Sequence, residues 1–264
     1  MFGACEQAEN GYLIDSQVTG ACMTGFPFLD RLFQGLDGRL VMAGFLMLAL
    51  IAAQFVLALT GGIVAAAFSG EHGMAIVFPV ALLGANAVCF WLIWRNLHAQ
   101  HPPSLESIGF ARSHVSLGTT LSLVLLLYLS AGMLAGLYIQ LVDYEGQQAT
   151  TEMIMEASNG TLLIKVILIA AVVVIGPVLE EIIFRGYLQS ALTERFSPAV
   201  GIVASALVFA GFHFQPEAFP LLALIGGACG IAYHVTQSLW PAMLLHILNN
   251  AAFVVNLFYI EGAS

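Results

Sequence analysis

From residue 40 to residue 260 the chain is a succession of apolar stretches, most of them long enough to cross the roughly 30 Å hydrocarbon layer of a bilayer as helices. They fall at about residues 40–68, 74–97, 116–142, 161–192, 198–214, 219–236 and 239–260. The expected fold is therefore all-α, a polytopic helical membrane protein with seven or eight transmembrane helices. Composition agrees: 59% of the 264 residues are hydrophobic and 9% charged, with a mean hydropathy of +0.91, whereas soluble domains carry about 25% charged residues. The net charge of −9 reflects a scarcity of Lys and Arg, seven in all, so no nucleic-acid surface is implied. Cys5, Cys22, Cys89 and Cys229 are scattered without paired CxxC spacing, which disfavours a structural zinc site or a disulfide framework.

Three regions are expected. Residues 1–38 lack a basic start, a short apolar core and a cleavage site, and are taken as a cytoplasmic or interfacial arm whose segment 26–36 lies amphipathically at the headgroups. Residues 39–160 hold three transmembrane helices, and residues 161–260 form the membrane core that carries the chemistry. Arg31, Arg39, Arg95, Arg112 and Arg195 fall on one side if the spans alternate, while Glu71, Asp143, Glu145, Glu152 and Glu156 fall on the other. The positive-inside rule then puts the amino terminus in the cytoplasm.

The core begins with an anomaly. Glu180, Glu181 and Arg185 lie inside an otherwise apolar span. Three charges at that depth cost on the order of 8 kcal/mol before pairing, which the sixteen Leu, Ile, Val and Phe residues between 162 and 184 about offset. Glu181 and Arg185 are four residues apart with the acid first, the favourable order for an ion pair on one helix face. Glu180 is rotated by about 100 degrees and is left without that partner. Gly176-Pro177 just ahead predicts a kink, because proline removes a backbone hydrogen bond. Intramembrane ionisable groups are functional by default, although a structural ion cluster would use the same residues.

Two later spans offer polar partners. Phe209 and His213 end one apolar helix, and His246 and Asn250 are four apart on another, presenting an imidazole and a carboxamide from one face. His72, His98, His101, His114 and His234 lie in connections or at helix ends, where they need no special role. The glycine pairs Gly132/Gly136 and Gly226/Gly230 have the spacing of helix-packing faces, read here as internal packing and not dimerisation.

In this order the motifs EExxxR (Glu180, Glu181, Arg185), FxxxH (Phe209, His213) and HxxxN (His246, Asn250) resemble those of the CPBP family of intramembrane proteases. That family takes in type II CAAX prenyl endopeptidases, bacteriocin-processing homologues and abortive-infection-like proteins. The surrounding text, EEIIFRGYLQSAL, SALVFAGFHF and QSLWPAMLLHILNN, is similar as well, and the likeness runs over residues 165–256. It implies a multi-pass membrane protein that hydrolyses a peptide or protein substrate, and the bacterial style of the sequence gives a bacterial cytoplasmic membrane as the expected location. Glu180 and His213 would activate a water, His246 and Asn250 would form the oxyanion site, and Glu181, Arg185 and Phe209 would support them. No cofactor is expected: a His2Glu zinc site of Glu180, His213 and His246 is chemically possible, but no HExxH is present and three helices would have to converge. The alternative function is a non-proteolytic scaffold, immunity or regulatory protein that uses the same polar cluster to bind a partner.

Overall fold

The computed structural model describes residues 24–33, 35–68, 73–99, 102–142, 154–155 and 161–259. The arm up to residue 23 with Cys5 and Cys22, the connections carrying Glu71, His72, Asp143, Glu145, Glu152 and Glu156, and His101 lie outside the described residues.

A short helix, α1 (Pro27–Leu32), is followed by α2 (Gly38–Phe68), α3 (Gly73–His98) and α4 (Leu117–Val142). The charged span is one continuous rod, α5 (Leu162–Arg195), and α6 (Pro198–Phe212), α7 (Phe219–Thr236) and α8 (Leu239–Tyr259) complete the bundle. No strand occurs among the described residues, and six helices are long and apolar enough to cross a membrane. This is a multi-pass helical membrane protein. The exception is α6: at 15 residues it reaches only about 22 Å, short of the roughly 30 Å hydrocarbon layer.

The helix ends that carry arginine gather at one end of the bundle. Arg39, at the start of α2, pairs with Glu194 at the end of α5 through Nη1 (2.7 Å) and Nη2, and with Asp37 at 3.3 Å. Arg95, at the end of α3, stacks over Phe26, which precedes α1, at 4.8 Å. In and beside α1, Phe26 and Leu29 are buried while Phe28, Leu32 and Phe33 are exposed. At the same end the α3–α4 connection folds back into the bundle. A 3-10 turn, Glu106–Ile108, delivers Ile108, 2% exposed, against α5 at Gly186. Three bonds hold it: the Leu239 N–H to the Gly109 carbonyl (2.9 Å), the His114 N–H to the Thr236 carbonyl (3.0 Å) and the Ser238 hydroxyl to the Ala111 carbonyl (2.6 Å).

The two glycine pairs part company. At Gly226 a Cβ would lie 3.1 Å from the Phe209 ring and 3.2 Å from the Ala206 Cα, and at Gly230 it would lie 2.8 Å from Gln189 Oε1, so this pair does seat α7 on α5 and α6. Nothing lies within 4 Å of such an atom at Gly132 or Gly136. The expectation of internal packing is wrong for that pair, because most of the apolar surface of α4 faces outward.

A Cβ at Gly186 would sit 2.5 Å from the Ile108 carbonyl oxygen, a backbone atom that cannot swing aside. Gly186→Ala should therefore cost about 1–3 kcal/mol and lower the thermal unfolding midpoint in detergent. Gly132→Ala, in open space and with better helix propensity, should leave it unchanged or raise it. Equal midpoints for the two variants would show that the turn is not packed as described.

Candidate active site

The site is assembled on α5, and α5 is an irregular helix. Residues Ala170–Ile175 and Ile182–Gln189 run in widened, π-type turns on either side of a six-residue α-helical piece, Gly176–Glu181. In the first widened stretch the Gly176 N–H reaches back five residues to the Ala171 carbonyl. The next N–H in that series would be at residue 177, a proline, and is missing. The carbonyl it would have reached, that of Val172, accepts instead from Asn250 Nδ2 at 2.9 Å. The predicted proline kink is thus a widened stretch of helix closed by a side chain of α8. Such π-type bulges occur often at functional sites.

Glu181 and Arg185 are both fully buried. Glu181 Oε1 accepts from Arg185 Nη1 at 2.9 Å, the ion pair expected from the spacing, and also from His246 Nδ1 at 2.8 Å. Arg185 Nη2 donates to the Gly226 carbonyl of α7 at 2.7 Å, and its guanidinium lies 5.0 Å from the centre of the Phe209 ring. The cluster therefore ties α5 to α6, α7 and α8. Buried ions in an apolar medium persist only when paired and hydrogen-bonded, and this pair is both, while Glu181 Oε2 and Arg185 Nε are buried without a hydrogen-bond partner.

Glu180 is turned about 100 degrees around the helix from Glu181. It makes no hydrogen bond among the described residues; its Oε2 lies 3.6 Å from His246 Nε2 and 4.0 Å from His213 Nε2. His213 is the residue just past the end of α6, and its Nδ1 is 2.8 Å from the Phe209 carbonyl. A carbonyl only accepts, so Nδ1 donates to it and the other ring nitrogen, Nε2, is turned toward Glu180. The same reasoning at His246, whose Nδ1 faces a carboxylate, turns its Nε2 toward Glu180 as well. Phe209 backs both imidazoles, with ring centroids 4.7 Å from His213 and 5.5 Å from His246. The side chains of Glu180 and His213 are 22% and 24% exposed, whereas His246 is buried.

The fold thus brings together Glu180, Glu181, Arg185, Phe209, His213 and His246. Asn250 stands one turn beyond His246 on α8, with one amide N–H on Val172 and its Oδ1 accepting from Asn249 at 3.3 Å. Sequence reasoning missed the Gly226 and Val172 carbonyls and the Cys229 thiol beside Glu181, because backbone acceptors and bland thiols leave no motif. Glu181, Cys229 and His246 offer ligand atoms within 4.8 Å of one another. A cation there would sit beside the Arg185 guanidinium, which already shares the Glu181 oxygen, and the donor set is a poor fit.

Residues 162–252 match the family model described as type II CAAX prenyl endopeptidase Rce1-like. This part of the chain is similar to that family. A Bacillus subtilis (strain 168) protein named "Putative membrane peptidase YdiL" is 28% identical over 82 residues, which span 31% of this chain and 34% of that relative. The match therefore covers about a third of the curated relative's length. No solved structure gives a significant match. The family stretch coincides with α5 to α8, the helices that supply every residue of the cluster.

Arg185→Met removes the counter-ion and leaves the buried Glu181 carboxylate with only His246 and the weak Cys229 thiol beside it. A loss of about 3–5 kcal/mol is expected, read as a lower unfolding midpoint in detergent. Arg185→Lys should recover little of it, since an ammonium lacks the planar fork that spans Glu181 and the Gly226 carbonyl. Wild-type stability in Arg185→Met would mean that the pair does not organise the core.

Proposed function

We propose that this membrane peptidase-family protein is an intramembrane endopeptidase of the glutamate type. The observation that carries the reading is the convergence of one carboxylate with no direct hydrogen bond, Glu180, on the Nε2 atoms of His213 and His246 at 4.0 and 3.6 Å. Those gaps are too wide for direct hydrogen bonds, and a water on the open side of the triangle would be within reach of all three groups.

Glu180 with His213 takes a proton from that water as it attacks the peptide carbonyl, a general-base step worth typically 10²–10⁴ in rate. No covalent acyl-enzyme forms. The carbonyl oxygen, negative in the tetrahedral intermediate, is received by His246 Nε2 and the second amide N–H of Asn250. Fixed donors in a dry cavity stabilise such an oxyanion by about 2.7–4 kcal/mol each. Donation from His246 Nε2 while Nδ1 donates to Glu181 requires the doubly protonated ring. Collapse of the intermediate returns the proton to the departing amine from Glu180 or His213. Glu181 and Arg185 act at one remove, by orienting His246. The reaction runs without a metal, the substrate is a peptide or protein met at the membrane, and the arginine-bearing end faces the cytoplasm.

The test is cleavage of a reporter peptide by purified protein. Glu180→Gln and His213→Ala should each reduce the rate by at least 10², with little change in unfolding midpoint, and wild-type cleavage should survive a strong chelator. Undiminished cleavage by Glu180→Gln would remove it as the base, and chelator-sensitive cleavage with bound zinc would favour a metal mechanism. A protein that cleaves nothing, yet loses its cellular phenotype when the cluster is substituted, would be the scaffold of the alternative reading.

A further inference from the structure

The polar cluster is sealed on one side and open on the other. On the Glu180 face of α5, the residues one turn toward the arginine-bearing end are Ile183 and Phe184, both fully buried. Phe184 packs edge-on against Phe209 and Phe212, with centroids 5.2 and 5.7 Å apart, and closes the space below the histidines. Beneath that layer every residue of Ile182–Gln189 is buried, and the Glu106–Ile108 turn is driven against Gly186 and fastened to the α7–α8 junction by its three hydrogen bonds. This is a fixed floor.

In the opposite direction the residue one turn from Glu180 is Gly176, which has no side chain; a Cβ there would lie 3.9 Å from Glu180 Oε1. His213 begins the turn that follows the short helix α6, with Phe214, Pro216 and Glu217 exposed. That turn is tied to the far end of α4 by the Tyr138 hydroxyl, which donates to the Glu217 carbonyl at 3.0 Å. Among the described residues no buried aromatic layer like that of Phe184 stands over Glu180 and His213 on this side, and their side chains are the partly exposed ones of the cluster.

We infer that water and an extended peptide reach Glu180 from the end of the bundle opposite the arginines, between Gly176 and the turn at residues 213–217, and that the segment around Ile108 is a permanent floor and not a gate. The inference rests on the catalytic reading of Glu180. If the arginine end is cytoplasmic, the substrate is a segment presented at or outside the extracytoplasmic face.

The experiment separates access from catalysis. Single cysteines are placed in a Cys5→Ser, Cys22→Ser background, which keeps the buried Cys89 and Cys229. Glu217→Cys and Glu106→Cys mark the two ends in sealed vesicles of uniform orientation. A membrane-impermeant methanethiosulfonate bearing a sulfonate is then applied to Gly176→Cys, and to Asn249→Cys in case the tight Cβ at Gly176, 3.0 Å from the Ala171 carbonyl, disturbs folding. Both should react at least tenfold faster from the side that labels Glu217→Cys. Faster reaction from the Glu106→Cys side, or no reaction from either side in both variants, overturns the inference. Reaction from the expected side in a protein that cleaves no reporter would uphold the route and sink the peptidase reading instead. In an active preparation, a polyethylene-glycol maleimide on Glu217→Cys should slow cleavage at least tenfold, and the same adduct on Glu106→Cys should leave it within twofold.

Discussion

One carboxylate oxygen holds the core together. Oε1 of Glu181 accepts from a guanidinium on its own helix and from an imidazole on α8, while the same guanidinium reaches a backbone carbonyl of α7. Between helices in lipid the hydrophobic effect gives little preference for one packing over another, so directional polar contacts carry much of the selection. A charge that finds its partners in only one arrangement specifies that arrangement. Each of the three groups would be costly alone, and together they define where α5, α7 and α8 stand.

The same cluster explains why adjacent glutamates differ. Glu181 is consumed by structure, with Arg185 and His246 on one oxygen. Glu180, about 100 degrees around the helix, is left facing two imidazole nitrogens and partial exposure. His246 belongs to both sides: its Nδ1 serves the structural acid and its Nε2 faces the other. Any change that rotates this ring alters the environment of Glu180 without touching it.

Much of this could be read before the structure was known, and the remainder could not for identifiable reasons. The spans follow from hydropathy and length, and the Glu181–Arg185 pair from helical spacing, because both are local properties of the chain. The separation of Glu180 from that pair was equally local. The bond from His246 to Glu181 joins residues 65 apart in sequence, and its partner was visible only as a histidine on an apolar helix. The insertion of Ile108 left no signal, since the glycine that admits it, Gly186, looks like any other in a helix. Spacing alone also could not tell Gly226 and Gly230, which seat a helix, from Gly132 and Gly136, which face outward. The role of Asn250 toward Val172 depends on a backbone vacancy that no side-chain motif encodes.

That vacancy bears on how the protein is made. Helix α5 enters the membrane before α8 exists, carrying a carbonyl that its own proline cannot satisfy and a glutamate whose second partner has not been synthesised. Until Asn250 and His246 arrive, the helix is an incomplete object in a solvent that offers no hydrogen bonds. The Val172 carbonyl and the Glu181 carboxylate gain these partners only when α8 docks. Docking of α8 thereby completes the polar core, and without it unpaired polar groups would remain at the heart of the bundle.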